Sequence, residues 1–254
     1  MRQASSRKAA KDRIATRLIT ADAGGIDVGA TEVYVAVPLG RCPRSVRSFP
    51  TFTPDLKNMV AWLRECQVTS VAMESTGTYW IPIYEILEEA GIEVKLVNAY
   101  HVKNVPGRKT DVCDCQWLQY LHSVGLLNGS FRPKESVCAL RALARHRANL
   151  VAEAARHVQL IHKALSEMNV KFQHVLSEVV GLSGQRMLDA ILGGERSPEK
   201  LLALLDYRVK ADKELIRKSL VGNYRKEHLF VLGQALAAFR FCRQQTAEVD
   251  AQIE

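Results

Sequence analysis

Four carboxylates are the residues of this sequence whose type and spacing best suit chemistry. Asp111 and Asp114 lie three residues apart in Lys109-Thr110-Asp111-Val112-Cys113-Asp114, just ahead of the periodic run Gln116-Trp117-Leu118-Gln119-Tyr120-Leu121. Thr110 is a good helix N-cap, which predicts both acids in the first helical turn and on one face. That pair fits either of two roles. Acids near a helix N-terminus complement the backbone dipole, and paired carboxylates on one face can also ligate a metal. Two further acids favour the metal. Asp27 sits in Gly24-Gly25-Ile26-Asp27-Val28-Gly29, and Glu74 ends the apolar run Ser70-Val71-Ala72-Met73. A carboxylate at the tip of a buried strand is costly unless it is paired or holds a cation. Two acids from strands and two from one helix turn can hold a pair of divalent cations, roughly 4 Å apart in two-metal phosphoryl-transfer sites.

Strands and helices in βαβ order must position these acids. Residues 24–49 read as a β-hairpin, with Val33, Val35 and Val37 alternating and Pro38-Leu39-Gly40 turning into Ser45–Phe49. Thr53 as N-cap and Pro54 at N1 start a helix with Leu56, Met59, Val60 and Leu63 on its apolar face. Residues 68–73 form the next strand, a helix runs from about Tyr79 through Ala90 with Gly91 at its end, and residues 92–97 form another strand. A parallel pair with a right-handed crossover brings the strand ends bearing Asp27 and Glu74 together. The connection from Asn98 to Thr110 carries His101, Lys103, Arg108 and Lys109 and leads straight into Asp111, where its cations can meet phosphates or simply be solvated.

Beyond Leu127 the character becomes helical. Residues 135–170 give one long pattern anchored by Leu140, Leu143, Leu150, Val151, Val158, Ile161 and Leu165, as in an αα-hairpin or coiled coil. Arg141, Arg145 and Arg147 lie off that stripe, as a backbone-tracking or a solvated face. Gly181-Leu182-Ser183-Gly184 and Gly193-Gly194 interrupt the pattern. Ser197-Pro198 restarts it, and a last helix runs from Glu227 to the end without a stop signal.

A formal charge of +8 favours a polyanionic partner, and residues 1–20 hold Arg2, Arg7, Lys8, Lys11, Arg13 and Arg17 against Asp12 alone, as a basic arm. No apolar run is long enough for a membrane span and no secretory signal is evident, so a cytoplasmic protein is expected. The six cysteines lack C-x-x-C pairs or zinc-like His spacing and read as reduced thiols.

Asp27, Glu74, Asp111 and Asp114, set in Gly-Ile-Asp, Glu-Ser-Thr-Gly-Thr-Tyr and Lys-Thr-Asp-x-x-Asp, resemble the DEDD insertion-sequence transposases. The resemblance covers residues 24–127 strongly. It implies an α/β, RNase H-like (RuvC-like) mixed sheet with helices, followed by an all-α, coiled-coil-like region. The division that follows is a basic arm at 1–22, a catalytic domain at 23–130 and a helical region at 131–254. It also implies the four acids as ligands of Mg²⁺ or Mn²⁺, with DNA as partner, in some members a structured noncoding bridge RNA, and a homo-oligomer. Family members continue into a C-terminal domain with a nucleophilic serine. This chain is expected to stop where that domain would begin, and Ser166, Ser177, Ser183 and Ser219 all fall in the helical region.

Rival assignments remain. Asp27-Val28-Gly29-Ala30-Thr31 is similar to the first phosphate loop of actin-like ATPases and sugar kinases, but no second Gly-rich phosphate loop or adenosine loop follows. A remnant that binds nucleic acid without cutting it, and a RuvC-like junction nuclease that needs no serine domain, are the alternatives to a recombinase.

Overall fold

The computed structural model describes residues 18–75, 77–98, 102 and 114–254. The chain divides into two compact units, the first ending at Arg132 and the second beginning at Pro133.

The first unit is built on a five-stranded mixed sheet. Its strands are β1 (Ala23–Val28), β2 (Glu32–Ala36), β3 (Val46–Pro50), β4 (Ser70–Glu74) and β5 (Glu93–Val97), in the spatial order β3-β2-β1-β4-β5. β1, β2 and β3 pair antiparallel, while β4 and β5 run parallel to β1. The expected hairpin is extended to a three-stranded meander, in which the strand expected to carry Asp27 pairs with β2 from Gly25–Ala36 to Val28–Val33. That pairing is not marked by periodicity, because the two glycines of Gly-Gly-Ile-Asp-Val carry no alternation signal.

Helices cover both faces of the sheet. α1 (Thr53–Glu65) and α2 (Trp80–Glu89) lie on one face, where Leu56, Met59 and Leu63 of α1 and Ile83 and Leu87 of α2 pack against Ile26, Val33, Val35 and Met73. α1 has Pro54 in its first turn, as expected, but Phe52 is the capping position and no side chain caps it. Gly91 follows α2 at φ 74°, and the N–H groups of Gly91 and Ile92 donate to the Glu88 and Leu87 carbonyls, closing the helix. α3 (Asp114–Ser123) lies on the opposite face, where Trp117, Leu118 and Leu121 share a buried cluster with Ala72, Val97 and Leu127. A central meander extended by parallel strands, with helices on both faces, is an RNase H-like α/β fold, and the helical remainder follows it.

One expectation about cysteine fails. Cys42, in the β2–β3 connection, and Cys66, just past α1, form a disulfide with Cα atoms 5.8 Å apart. Twenty-four residues separate them, and no sequence spacing marks such a pair; the fold brings them together. Arg41 reinforces the same join, donating to the Gln67 side chain at 2.6 Å and pairing with Asp22. Among the described cysteines, Cys138 and Cys242 are free thiols.

The second unit is all helical. α4 (Glu135–Glu167) and α8 (Lys226–Ile253) are its long elements, joined by a 3₁₀ turn (Phe172–His174), α5 (Leu182–Leu192), α6 (Pro198–Leu202) and α7 (Lys213–Ser219). α6 starts as the sequence predicts, with the Ser197 hydroxyl accepting from the Lys200 N–H. The Arg147–Asp250 ion pair and the contact of His228 Nδ1 with Glu167 at 3.1 Å join α4 to α8 near opposite ends, which fixes an antiparallel register. Ile161, Leu165, Phe172, Leu188, Ile191, Leu232 and Leu236 form the core between them. Among the described residues no helix is long and apolar enough to cross a membrane.

Candidate active site

In the parallel β1–β4 pair, Ile26 stands beside Met73. Carried one residue further, that register sets Asp27 beside Glu74. Ile26 and Met73 are fully buried under α1 and α2, so strand alternation turns Asp27 and Glu74 to the other face. That face carries α3, and both carboxylates are half-buried there. Beyond Glu74, the Ser75 N–H and hydroxyl both donate to the Val97 carbonyl, at 3.0 and 3.3 Å, which holds the end of β4 against β5. Tyr34 is the cross-strand partner of Asp27 on β2 and stays 45% exposed, with its hydroxyl donating to Glu32 at 2.9 Å. A hydrogen bond with Ser48, and then the one from Tyr34, lower the pKa of the Glu32 carboxyl.

α3 sits almost directly on the backbone of β1. A Cβ on Gly25 would lie 2.2 Å from the Cys115 carbonyl oxygen and 2.3 Å from the Gln119 nitrogen, so only glycine fits. The Gln119 side-chain amide donates to the Ala23 carbonyl at 3.1 Å. One helical turn further on, His122 Nε2 and the Ser70 hydroxyl of β4 are 2.7 Å apart in the interior. Burial, and then the nearby Lys95 charge, push the His122 imidazole below its ordinary pKa, with Glu93 opposing weakly, so the ring is neutral at neutral pH. The Ser123 carbonyl accepts from the N–H groups of Ile19 and Thr20 at 2.8 and 3.0 Å. These contacts fix the helix whose first residue, the exposed Asp114, begins on the same face as Asp27 and Glu74.

Aromatic and basic side chains brace the segment after Glu74. Trp80 Nε1 donates to the Gly77 carbonyl at 3.1 Å, and the Arg132 guanidinium lies 3.9 Å from the Tyr84 ring centre while pairing with Glu85 at 3.1 Å. Tyr79 projects to solvent beside them, 54% exposed.

The predicted site residues are placed unequally. Asp27 and Glu74 come together, and Asp114 opens the helix on their face. Asp111, with its capping Thr110, and the cations His101, Lys103, Arg108 and Lys109 lie outside the described residues. Among the described residues, no group of three or more His, Cys, Asp or Glu side chains is placed to hold a metal ion. Two half-buried carboxylates side by side are nevertheless a donor set of the right chemistry, since their mutual repulsion falls when a hard cation lies between them. In the second unit, Arg141 and Arg145 are exposed on α4, whereas Arg147 is committed to Asp250, whose pKa that guanidinium lowers.

Sequence reasoning missed the residues that seat α3: Gly25, Gln119, His122 and Ser70. The adjacent glycines ahead of Asp27 were the available signal, since a glycine inside a strand marks a close backbone approach.

No curated protein matches the chain. A family model described as a transposase, the DEDD type of the IS110 insertion sequences, matches residues 24–170, more than half of the chain, from within β1 to just past α4. The chain belongs to the IS110-type DEDD transposase family.

Proposed function

We propose that this transposase cuts and joins DNA strands through a divalent-metal site formed by Asp27, Glu74, Asp111 and Asp114. The observation that carries this reading is the placement of Asp27 and Glu74 side by side on the face that holds α3. Mg²⁺ or Mn²⁺ suits an all-carboxylate donor set and would polarise the scissile phosphate and neutralise charge that builds in the transition state.

The chain's own residues do the positioning. Asp27 and Glu74, on adjacent parallel strands, form the rigid half of the ligand set, and Asp111 and Asp114 complete it from α3 and the residues before it. Lys103, Arg108 and Lys109, with His101, bind DNA phosphates next to the acids. In this division of labour, residues 23–130 carry catalysis and residues 131–254 bind nucleic acid through Arg141, Arg145 and Arg147. The basic arm at 1–22 adds backbone contacts. A structured noncoding RNA that brings donor and target DNA together, a homo-oligomer and a cytoplasmic setting belong to the same proposal. Support for it comes from the family, the net charge of +8 and the exposure of Arg141 and Arg145.

The test is DNA strand cleavage with and without Mg²⁺ by wild type and Asp27→Ala. Cleavage that needs the metal and disappears in a folded Asp27→Ala protein supports the site. Full activity in that variant sinks it. Cutting of branched junctions alone would favour a junction nuclease, and DNA binding with no cleavage by the wild type a non-cutting remnant.

A further inference from the structure

The helical unit contains a cavity of about 610 Å³ between α4, the connection through the 3₁₀ turn, α5 and α8. We infer that this cavity binds one unpaired nucleotide of a nucleic-acid strand.

Three features define the occupant. Part of the wall is apolar, with Val158 of α4 and Phe239 of α8 on it. Such a surface suits a flat base, and an aromatic wall can stack on one. Gln173 also lines the cavity and is itself 7% exposed. Its amide nitrogen donates to the Ser166 hydroxyl at 3.2 Å, while its Oε1 is buried with no partner. Reversing the amide would exchange the two atoms and still leave one unpaired. A buried amide atom left unpaired costs free energy that a ligand edge can recover. Nucleobase edges carry donors and acceptors side by side, so they satisfy the amide in either orientation.

The third feature is charge. Arg240 and Arg243 of α8 line the same cavity. Arg240 is held in place by Gln185 at 3.0 Å and Asp189 at 2.8 Å. Glu178 lies on the lining as well, which limits the negative charge the site accepts. With Arg240 already paired to Asp189, the lining carries little net positive charge, which suits the single charge of a phosphodiester better than a free nucleoside triphosphate. The cavity also has the size of ordinary small-ligand sites.

The test uses the full chain in EDTA, so that it does not depend on the acidic site, and includes Asp27→Ala as a control. Short single-stranded RNA and DNA oligonucleotides with 2-aminopurine at each position in turn report base insertion by fluorescence, and anisotropy reports affinity. Gln173→Ala removes the unpaired amide, and Ala155→Phe fills the cavity from an exposed position on α4. The expected result is a fluorescence change at one position, preserved in Asp27→Ala. Both cavity variants should lose it, with affinity down roughly tenfold, the scale of one buried hydrogen bond to a ligand. Thermal denaturation checks folding, and if Gln173→Ala unfolds, Ala155→Phe decides alone. A stronger response from RNA identifies a guide or transcript as the source, and from DNA a displaced strand. No positional fluorescence change with either strand, or an unchanged response in Ala155→Phe, overturns the inference.

Discussion

Gly25 of β1 lies against the backbone of Gln119 in α3 so closely that a single added carbon would sit 2.3 Å from the Gln119 nitrogen. The strand that carries Asp27 and the helix that begins with Asp114 therefore share one contact without side chains between them. Geometry at the acids depends on this contact, because α3 is seated by it and by the bonds from Gln119 and His122.

Gly25→Ala should lift α3 from the sheet. Overpacking of this kind costs about 1–3 kcal/mol, and the obstacle here is backbone, which cannot swing aside. Urea denaturation should show the loss, and DNA cleavage should fall further than stability alone explains. A Gly25→Ala protein with wild-type stability and activity would refute the role given to this contact.

His122 makes stability depend on pH. Its folded pKa lies below the ordinary value of 6.5, so the unfolded chain takes up a proton that the folded chain refuses. Stability from this group is complete above about pH 6.5 and declines as pH falls from there towards the folded pKa. The melting temperature of wild type should drop between about pH 7.5 and about pH 5.5, and that of His122→Gln should drop less. Lys95 and Glu93 on β5 are the charged groups that influence the ring, so Lys95→Met should narrow the effect. Identical pH profiles for wild type and His122→Gln would remove His122 from the account.

The Cys42–Cys66 disulfide should appear as a linked peptide pair in non-reducing mass mapping of the purified protein. Closing a loop of this length contributes on the order of 3 kcal/mol through the unfolded chain. Cys66→Ser or a strong reductant should lower the urea midpoint accordingly. Free thiols at both positions would show that the sequence expectation of reduced cysteines was right.

Arg141 and Arg145 should each contribute to nucleic-acid affinity through phosphate contact. Replacing either with Ala should lower the slope of log affinity against log salt by about one. Arg147→Ala should change the slope less, because Asp250 already holds that guanidinium. Equal slopes in all three variants and the wild type would argue for a solvated face.

Much of this fold was legible because its signals are local. The βαβ segment from α1 to β5 follows from Pro54, the apolar run from Val68 to Met73 and Gly91, and the start of α6 from Ser197-Pro198. Asp27 and Glu74 could be paired from sequence because parallel strands joined by one crossover leave few registers. What was not legible depends on contacts between distant segments. The pairing of β1 with β2 has no periodic signal across Gly24-Gly25. The meeting of Cys42 with Cys66, and of Ser70 with His122, joins positions whose separation in sequence carries no pattern. Pairing of Arg147 with Asp250 likewise depends on the antiparallel register of α4 and α8, which neither helix encodes alone.

The central claim is that Asp27 and Glu74 hold a divalent cation, and metal binding tests it more directly than activity does. Mn²⁺ titration followed by electron paramagnetic resonance should be compared for wild type, Asp27→Asn and Glu74→Gln, each checked for folding by circular dichroism. Wild type should bind Mn²⁺, and each variant should bind at least about tenfold more weakly, as loss of a carboxylate ligand requires. Equal Mn²⁺ affinity in wild type and both folded variants would contradict the account.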